Sequence, residues 1–290
     1  MKRKTLNIAL GVAALGLGAA VFLSQKKEEK GPPLTPIAAA ALDHVTLEHP
    51  GSPTVELERK DGHWKITKPV VVDADPFEVN AFIDLAKLEV KKSLEQKDVS
   101  LKELGLDPPA YFVTLNGQKL AFGAQEPIQA RRYILANGKV ALVDDPPAEA
   151  LDANYSDLVS RAVVPPGAQI QSIAVPGLTI AKSGDGKSWS LTPDNPDASS
   201  DSRQKLIDAW QNAKAMWNAE TPREGVKGDA ASVTLKDGSV LKFVITERDP
   251  QFVMARPDIG VSYTLSRQLL DQMLKLQDKD DTAKTLQPAK

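Results

Sequence analysis

Apolar and polar side chains alternate along this chain in short runs broken by Gly, Asn and Asp, the pattern of half-buried strands joined by tight turns. "RKDGHWKI", Arg59 to Ile66, predicts a strand, an Asp-Gly turn and a strand opening on Trp64. "SGDGKSWSL", Ser183 to Leu191, predicts the same around Trp189. Each tryptophan strand is followed by a proline-containing connection, with Pro69 in the first case and Pro193 and Pro196 in the second. A helical period comes next. The first helix is expected over 75–92, opened by Asp75, Pro76 and Glu78 as a capping box and carrying Val79, Phe82, Ile83, Ala86 and Val90 on one face. Its counterpart over 202–218 carries Leu206, Ala209, Trp210, Ala213 and Trp217 at the same spacing.

The parallel continues. "VTLNGQKLAF" from Val113 to Phe122 matches "VTLKDGSVLKF" from Val233 to Phe243, each a hairpin. "RRYILANGKVALV" and "QFVMARPDIGVSYTL" each give two further strands around a turn, and short helical segments close the halves near Ala148 to Ala153 and Ser266 to Leu276. Trp64 and Trp189 lie 125 residues apart, Val113 and Val233 120 apart. Such constancy implies duplication of one α+β unit: two strands, a helix, four antiparallel strands and a short helix. The expected fold is therefore two tandem similar units, residues 43–155 and 156–277, each an antiparallel sheet with one amphipathic helix.

Outside the halves the pattern changes. Leu6 to Leu23 has Asn7 as its one polar residue and no charge; as a helix it would extend about 27 Å, close to the hydrocarbon thickness. Residues 1–24 are thus expected to be a cytoplasmic tail and a transmembrane anchor. A cleaved signal peptide, with Gly18 and Ala20 as the small residues three and one before the cut, competes with that reading, but Val21, Phe22 and Leu23 continue the apolar run past it. Lys2, Arg3 and Lys4 are nearly balanced by Lys26, Lys27 and Lys30, with Glu28 and Glu29 tipping the N-terminus inward and the body outward. Residues 25–42 read as a Pro/Ala-rich stalk and 278–290 as a polar tail. Within the anchor, Ala14 with Gly18 and Gly16 with Ala20 would suit helix packing.

Composition narrows the chemistry. The 290 residues carry a net charge of −2 with no basic stripe, which removes the usual motive for nucleic-acid binding. There are no cysteines, so disulfides, thiolate metal sites and cysteine nucleophiles are excluded. Gly186-Lys187-Ser188 ends like a phosphate-binding loop, yet its first glycine is replaced by Ala181 and a strand follows where a helix is required. His44 and His49, five apart on a strand, would face opposite ways, and His63 sits at a turn, so no metal site is expected. No Gly-x-Ser-x-Gly elbow occurs. Asp73 with Asp75, Asp144 with Asp145 and Asp280 with Asp281 read as caps and turns, and Asn154-Tyr155-Ser156 as an incidental acceptor motif. No catalytic, cofactor-binding or metal-binding residue, and no cofactor or nucleotide, is predicted.

"WKITKPVVVDADPFEVNAFIDLAKLEV" and "ELGLDPPAYFVTLNGQKLAFG" resemble a bacterial family described as a domain of unknown function. The likeness rests on Trp64, Ile66 and Pro69, on Asp73 and Asp75 before the helix, and on Gly105 to Pro109 before the hairpin, with Tyr155 to Val164 as a boundary motif. It fits the second half loosely. The short helix beginning at Ser100, capped by Ser100 and Glu103, would end at Leu106-Asp107-Pro108-Pro109. Members of that family are membrane-anchored and often encoded beside an ABC transporter and a gliding-motility-type auxiliary component. The resemblance implies a non-enzymatic accessory protein of the inner membrane, its body in the periplasm and its partner a permease or auxiliary subunit. The alternative is a periplasmic ligand-binding or envelope-modifying protein with a cleft between the repeats, for which Trp189 and Trp217 should face solvent.

Overall fold

The computed structural model describes residues 16, 31–146, 151 and 153–277. The expected anchor, the polar tail and most of the 148–153 segment lie outside the described residues. Among the described residues no helix is long and apolar enough to cross a membrane.

The first unit contains β1 (His44–Glu48), β2 (Val55–Lys60), β3 (His63–Lys68), β4 (Val72–Asp73), α1 (Pro76–Leu85), β5 (Val90–Glu95), β6 (Tyr111–Leu115), β7 (Gln118–Gln125), β8 (Arg131–Ala136) and β9 (Lys139–Asp144). A short helix, α2 (Tyr155–Leu158), opens the connector. The second unit contains β10 (Ile170–Val175), β11 (Leu178–Lys182), β12 (Trp189–Thr192), α3 (Ser200–Asn212), β13 (Trp217–Glu220), β14 (Asp229–Leu235), β15 (Val240–Glu247), β16 (Phe252–Arg256), β17 (Val261–Leu265) and α4 (Arg267–Leu274).

Each unit forms one antiparallel sheet, in the order β4-β3-β2-β1-β6-β7-β8-β9-β5 and β12-β11-β10-β14-β15-β16-β17-β13. Apart from β4 the two orders are the same. In both, three strands meander outward, a helix carries the chain across one face, the next strand joins the far edge, and four more fill the sheet. The expectation of two similar α+β units holds; the element count differs. A first strand, β1 or β10, precedes each predicted hairpin, and an edge strand, β5 or β13, follows each helix.

Those edge strands correct the helices. Helix α1 ends at Leu85 and α3 at Asn212, so Val90 and Trp217, placed on helical faces by their spacing, instead begin strands. What remains is amphipathic as expected: Val79, Phe82 and Leu85 are buried from α1, and Leu206, Ile207 and Trp210 from α3. Asp75 accepts from Phe77 N at 2.9 Å, with Pro76 in the first turn. Ser199 caps α3 by accepting from Ser202 N at 3.0 Å. Ser100 begins a turn, not a helix: Glu103 N reaches Ser100 Oγ at 3.4 Å, but regular structure stops at the 3-10 turn Gln96–Asp98.

The tryptophan hairpins are equivalent down to side-chain contacts. Trp64 lies opposite Arg59 and Trp189 opposite Lys182, and each cation stands over its ring, at 5.9 and 5.8 Å from the centroid. Asp61 and Gly62 both take positive φ in the first turn, whereas the second widens to Ser183–Ser188, closed by Ser183 N to Ser188 O at 2.9 Å. Gly186-Lys187-Ser188 is therefore a hairpin loop.

Residues 31–42, expected as part of a stalk, lie against the first unit. Val90 N donates to Pro32 O at 2.8 Å and Leu34 N to Leu88 O at 2.7 Å, and Leu34, Thr35 and Leu42 are buried. The second unit opens identically: Ala215 N donates to Arg161 O at 2.8 Å and Val163 N to Ala213 O at 3.0 Å. The prolines do not prevent this pairing, because it uses the carbonyl of Pro32 and the N–H of Leu34, never a proline nitrogen. The repeat thus reaches back to Pro32 in one copy and Arg161 in the other.

Candidate functional site

The segment 158–163 fastens the units together by pairing with both. On one side Asp75 N donates to Leu158 O and Ser160 N to Asp73 O, both at 2.8 Å, so that the connector extends the sheet beyond β4. On the other side come the bonds to Ala213 and Ala215. Two buried side chains reinforce the join: Asn218 Nδ2 donates to Val159 O at 2.7 Å, and the Tyr155 hydroxyl reaches Gly260 O at 2.9 Å and Ile259 O at 3.1 Å. Buried residues of both units form one continuous apolar cluster through this junction.

Beside the connector lies a cleft of about 730 Å³. Its walls are the β2–β3 turn, Lys60 to His63, and the facing turn Pro165 to Ala168; Trp64, Lys65, Asp73, Ala74, Pro76 and Ser160 complete it. The segment lining its floor is flanked in the chain by two exposed large apolar side chains, Val71 at 75% and Phe77 at 76%. Val70, in the irregular connection before β4, is buried, while Val71 beside it turns outward.

Charge at the junction gathers on Arg161. Its Nη2 donates to Glu78 Oε1 at 2.6 Å, and its Nε stands 3.8 Å from Asp75 Oδ2. Burial pushes the Glu78 carboxyl above its ordinary value; Arg161 opposes the rise and Asp75 and Asp157 add to it. Glu78 therefore binds the connector instead of closing a capping box. The Tyr155 hydroxyl is also pushed up, first by burial and then by Glu220, against the pull of Arg223. Deeper in the second unit Arg256 is buried beside Asp258 at 2.6 Å, and Tyr263 is raised by burial, with Asp73 of the first unit adding to the shift.

The structure disperses the other residues that the sequence brought forward. His44 faces Glu58 at 3.8 Å, His49 lies against the Tyr111 ring at 5.1 Å, and His63 lines the cleft. Asp144 faces Lys91 and Arg131, Asp145 faces Arg132, and Asp73 faces Lys65 at 3.5 Å. Asn154 and Asp157 form a reciprocal capping box on α2. Among the described residues no group of His, Asp or Glu is arranged to hold a metal ion. Trp217 is 45% exposed and Trp189 half-buried. The sequence did not single out Glu78 and Asn218 as junction residues; Tyr155 and Arg161 lie within its boundary motif, which now has a physical meaning.

A family model described as a domain of unknown function (DUF4340) matches residues 64–221. The chain belongs to this family. The DUF4340 span runs from Trp64 in β3 to just past β13, so it contains the connector and its backbone partners in both units, while omitting β1, β2, the four strands β14 to β17 and the Ile259 and Gly260 carbonyls that Tyr155 reaches. No curated protein and no solved structure matches the chain.

Proposed function

We propose that this is a non-enzymatic, membrane-tethered adaptor whose body lies outside the cytoplasmic membrane and binds a membrane protein, with an ABC-type transport complex as the partner. The observation that carries the reading is the junction cleft with the exposed Val71 and Phe77 beside it. Exposed large apolar side chains close in the chain to residues that line a concave surface suit a protein contact site, where a few buried anchors provide most of the affinity. The connector, bonded through its backbone to both units, favours an adaptor, since a surface held in one shape binds without an ordering cost. The tether comes from the apolar run at Leu6 to Leu23, and the transporter from the family resemblance.

Trp64 and the neighbouring Lys60, His63 and Lys65 favour a second reading, a small polar ligand held in the cleft itself. Replacing Val71 and Phe77 together by Asp separates the two. An adaptor should lose co-purification with the permease or its auxiliary subunit by about tenfold or more, since burying one large apolar side chain contributes roughly 1.5–3 kcal/mol. Unchanged co-purification in a variant with an unchanged melting temperature would refute this surface as a docking site.

A further inference from the structure

The two units permit an internal comparison, and one loop departs from it. Between β7 and β8 the chain reads Glu126-Pro127-Ile128-Gln129-Ala130, and Ile128 is 88% exposed. The corresponding loop between β15 and β16 reads Arg248-Asp249-Pro250-Gln251, with the Asp249 side chain 89% exposed and facing Arg267 at 3.8 Å. The same scaffold thus displays an apolar tip in one copy and a charged one in the other.

Polar bonds behind the tip hold it out. Glu126 N donates to Arg131 O at 2.7 Å, Gln129 N to Glu126 Oε2 at 2.7 Å, and Gln125 Nε2 to Ala130 O at 3.1 Å and to Asp145 Oδ2 at 2.9 Å. Arg132 pairs with Asp145 at 2.7 Å. The loop also occupies a particular place. Arg131 lies opposite Asp144, and Val143 opposite Val90, which is bonded to Pro32. Residue 31 is thus about three strand spacings, roughly 14 Å, from the loop. Only residues 24–31 separate the predicted anchor from that point, a reach of at most about 29 Å.

We propose that the β7–β8 loop is a second, lateral contact with the lipid bilayer, in which Ile128 enters the interface at the end of the body where the tether arrives. This rests on the tether reading. One isoleucine is enough for a tethered body, because the anchor makes the contact intramolecular at a high effective concentration. Lys91 and Arg131 share Asp144, Arg132 faces Asp145, and Glu126 is in the loop itself, so three cations stand against three carboxylates and the contact should not depend on anionic lipid.

The test uses the full chain in phosphatidylcholine vesicles. As the protein has no cysteine, Gln129→Cys and Asp249→Cys each give one site for an environment-sensitive fluorophore. Acyl-chain-brominated lipid should quench the label at 129 and leave the label at 249 bright. Adding Ile128→Asp to the first variant should shift the contact about tenfold or more toward the free state while the chain still floats with the vesicles. Equal quenching at both sites, no quenching at 129 in a floating chain, or quenching that requires anionic lipid or another membrane protein would overturn the proposal and leave the tether intact. A chain that does not float with the vesicles would overturn both.

Discussion

At the residue scale the junction depends on a few polar groups with defined partners. Tyr155→Phe removes the hydroxyl donated to the Gly260 and Ile259 carbonyls. It should lower stability by about 1 kcal/mol, measured as a shift in the urea midpoint without a change in slope. Arg161 and Glu78 add a pH dependence whose sign follows from burial. A carboxyl whose folded pKa is raised binds its proton more tightly in the folded state, so its contribution becomes more favourable as pH falls through the raised value toward the ordinary one of 4.5. Wild type should therefore gain relative to Glu78→Gln between neutral pH and about pH 4. A gap that narrows in favour of the variant on acidification would show that the Arg161 pairing, not burial, dominates.

At the element scale, the strand hairpins and the helix starts were legible because alternation, Asp-Gly and Asn-Gly turns and an Asp-Pro cap are local signals. The helix ends were not. Val90 and Trp217 continue a helical spacing, and only pairing with β9 and β17, set by residues far along the chain, makes them strand positions. That both copies misled in the same way is itself a mark of duplication. Residues 25–42 read as a stalk because they hold few large apolar side chains, yet an edge segment needs only alternate backbone groups and the burial of Leu34 and Leu42. The cleft was not legible at all, as it joins Lys60 to Ala168 through the connector. The entry segment gives a direct check. A Cβ at Gly31 would overlap the Val90 carbonyl, so Gly31→Ala should lower the melting temperature by several degrees, on the order of 1–3 kcal/mol of overpacking. A stalk residue would tolerate the change.

At the scale of the whole molecule, one apolar cluster and one connector paired on both sides make the two units a single body. Calorimetry should give one transition, with the calorimetric and van't Hoff enthalpies in agreement; two resolved transitions would mean that the junction is weak. The central claim is that this body presents the surface beside its junction cleft to a membrane protein. Its most direct test is site-specific photocrosslinking in intact cells, with the photoreactive residue at Phe77 and, as control, at Ser239 in the turn between β14 and β15. The account predicts one discrete adduct from position 77, containing a transporter permease or auxiliary subunit, and none from position 239. No adduct at 77, or the same adducts from both positions, would contradict it.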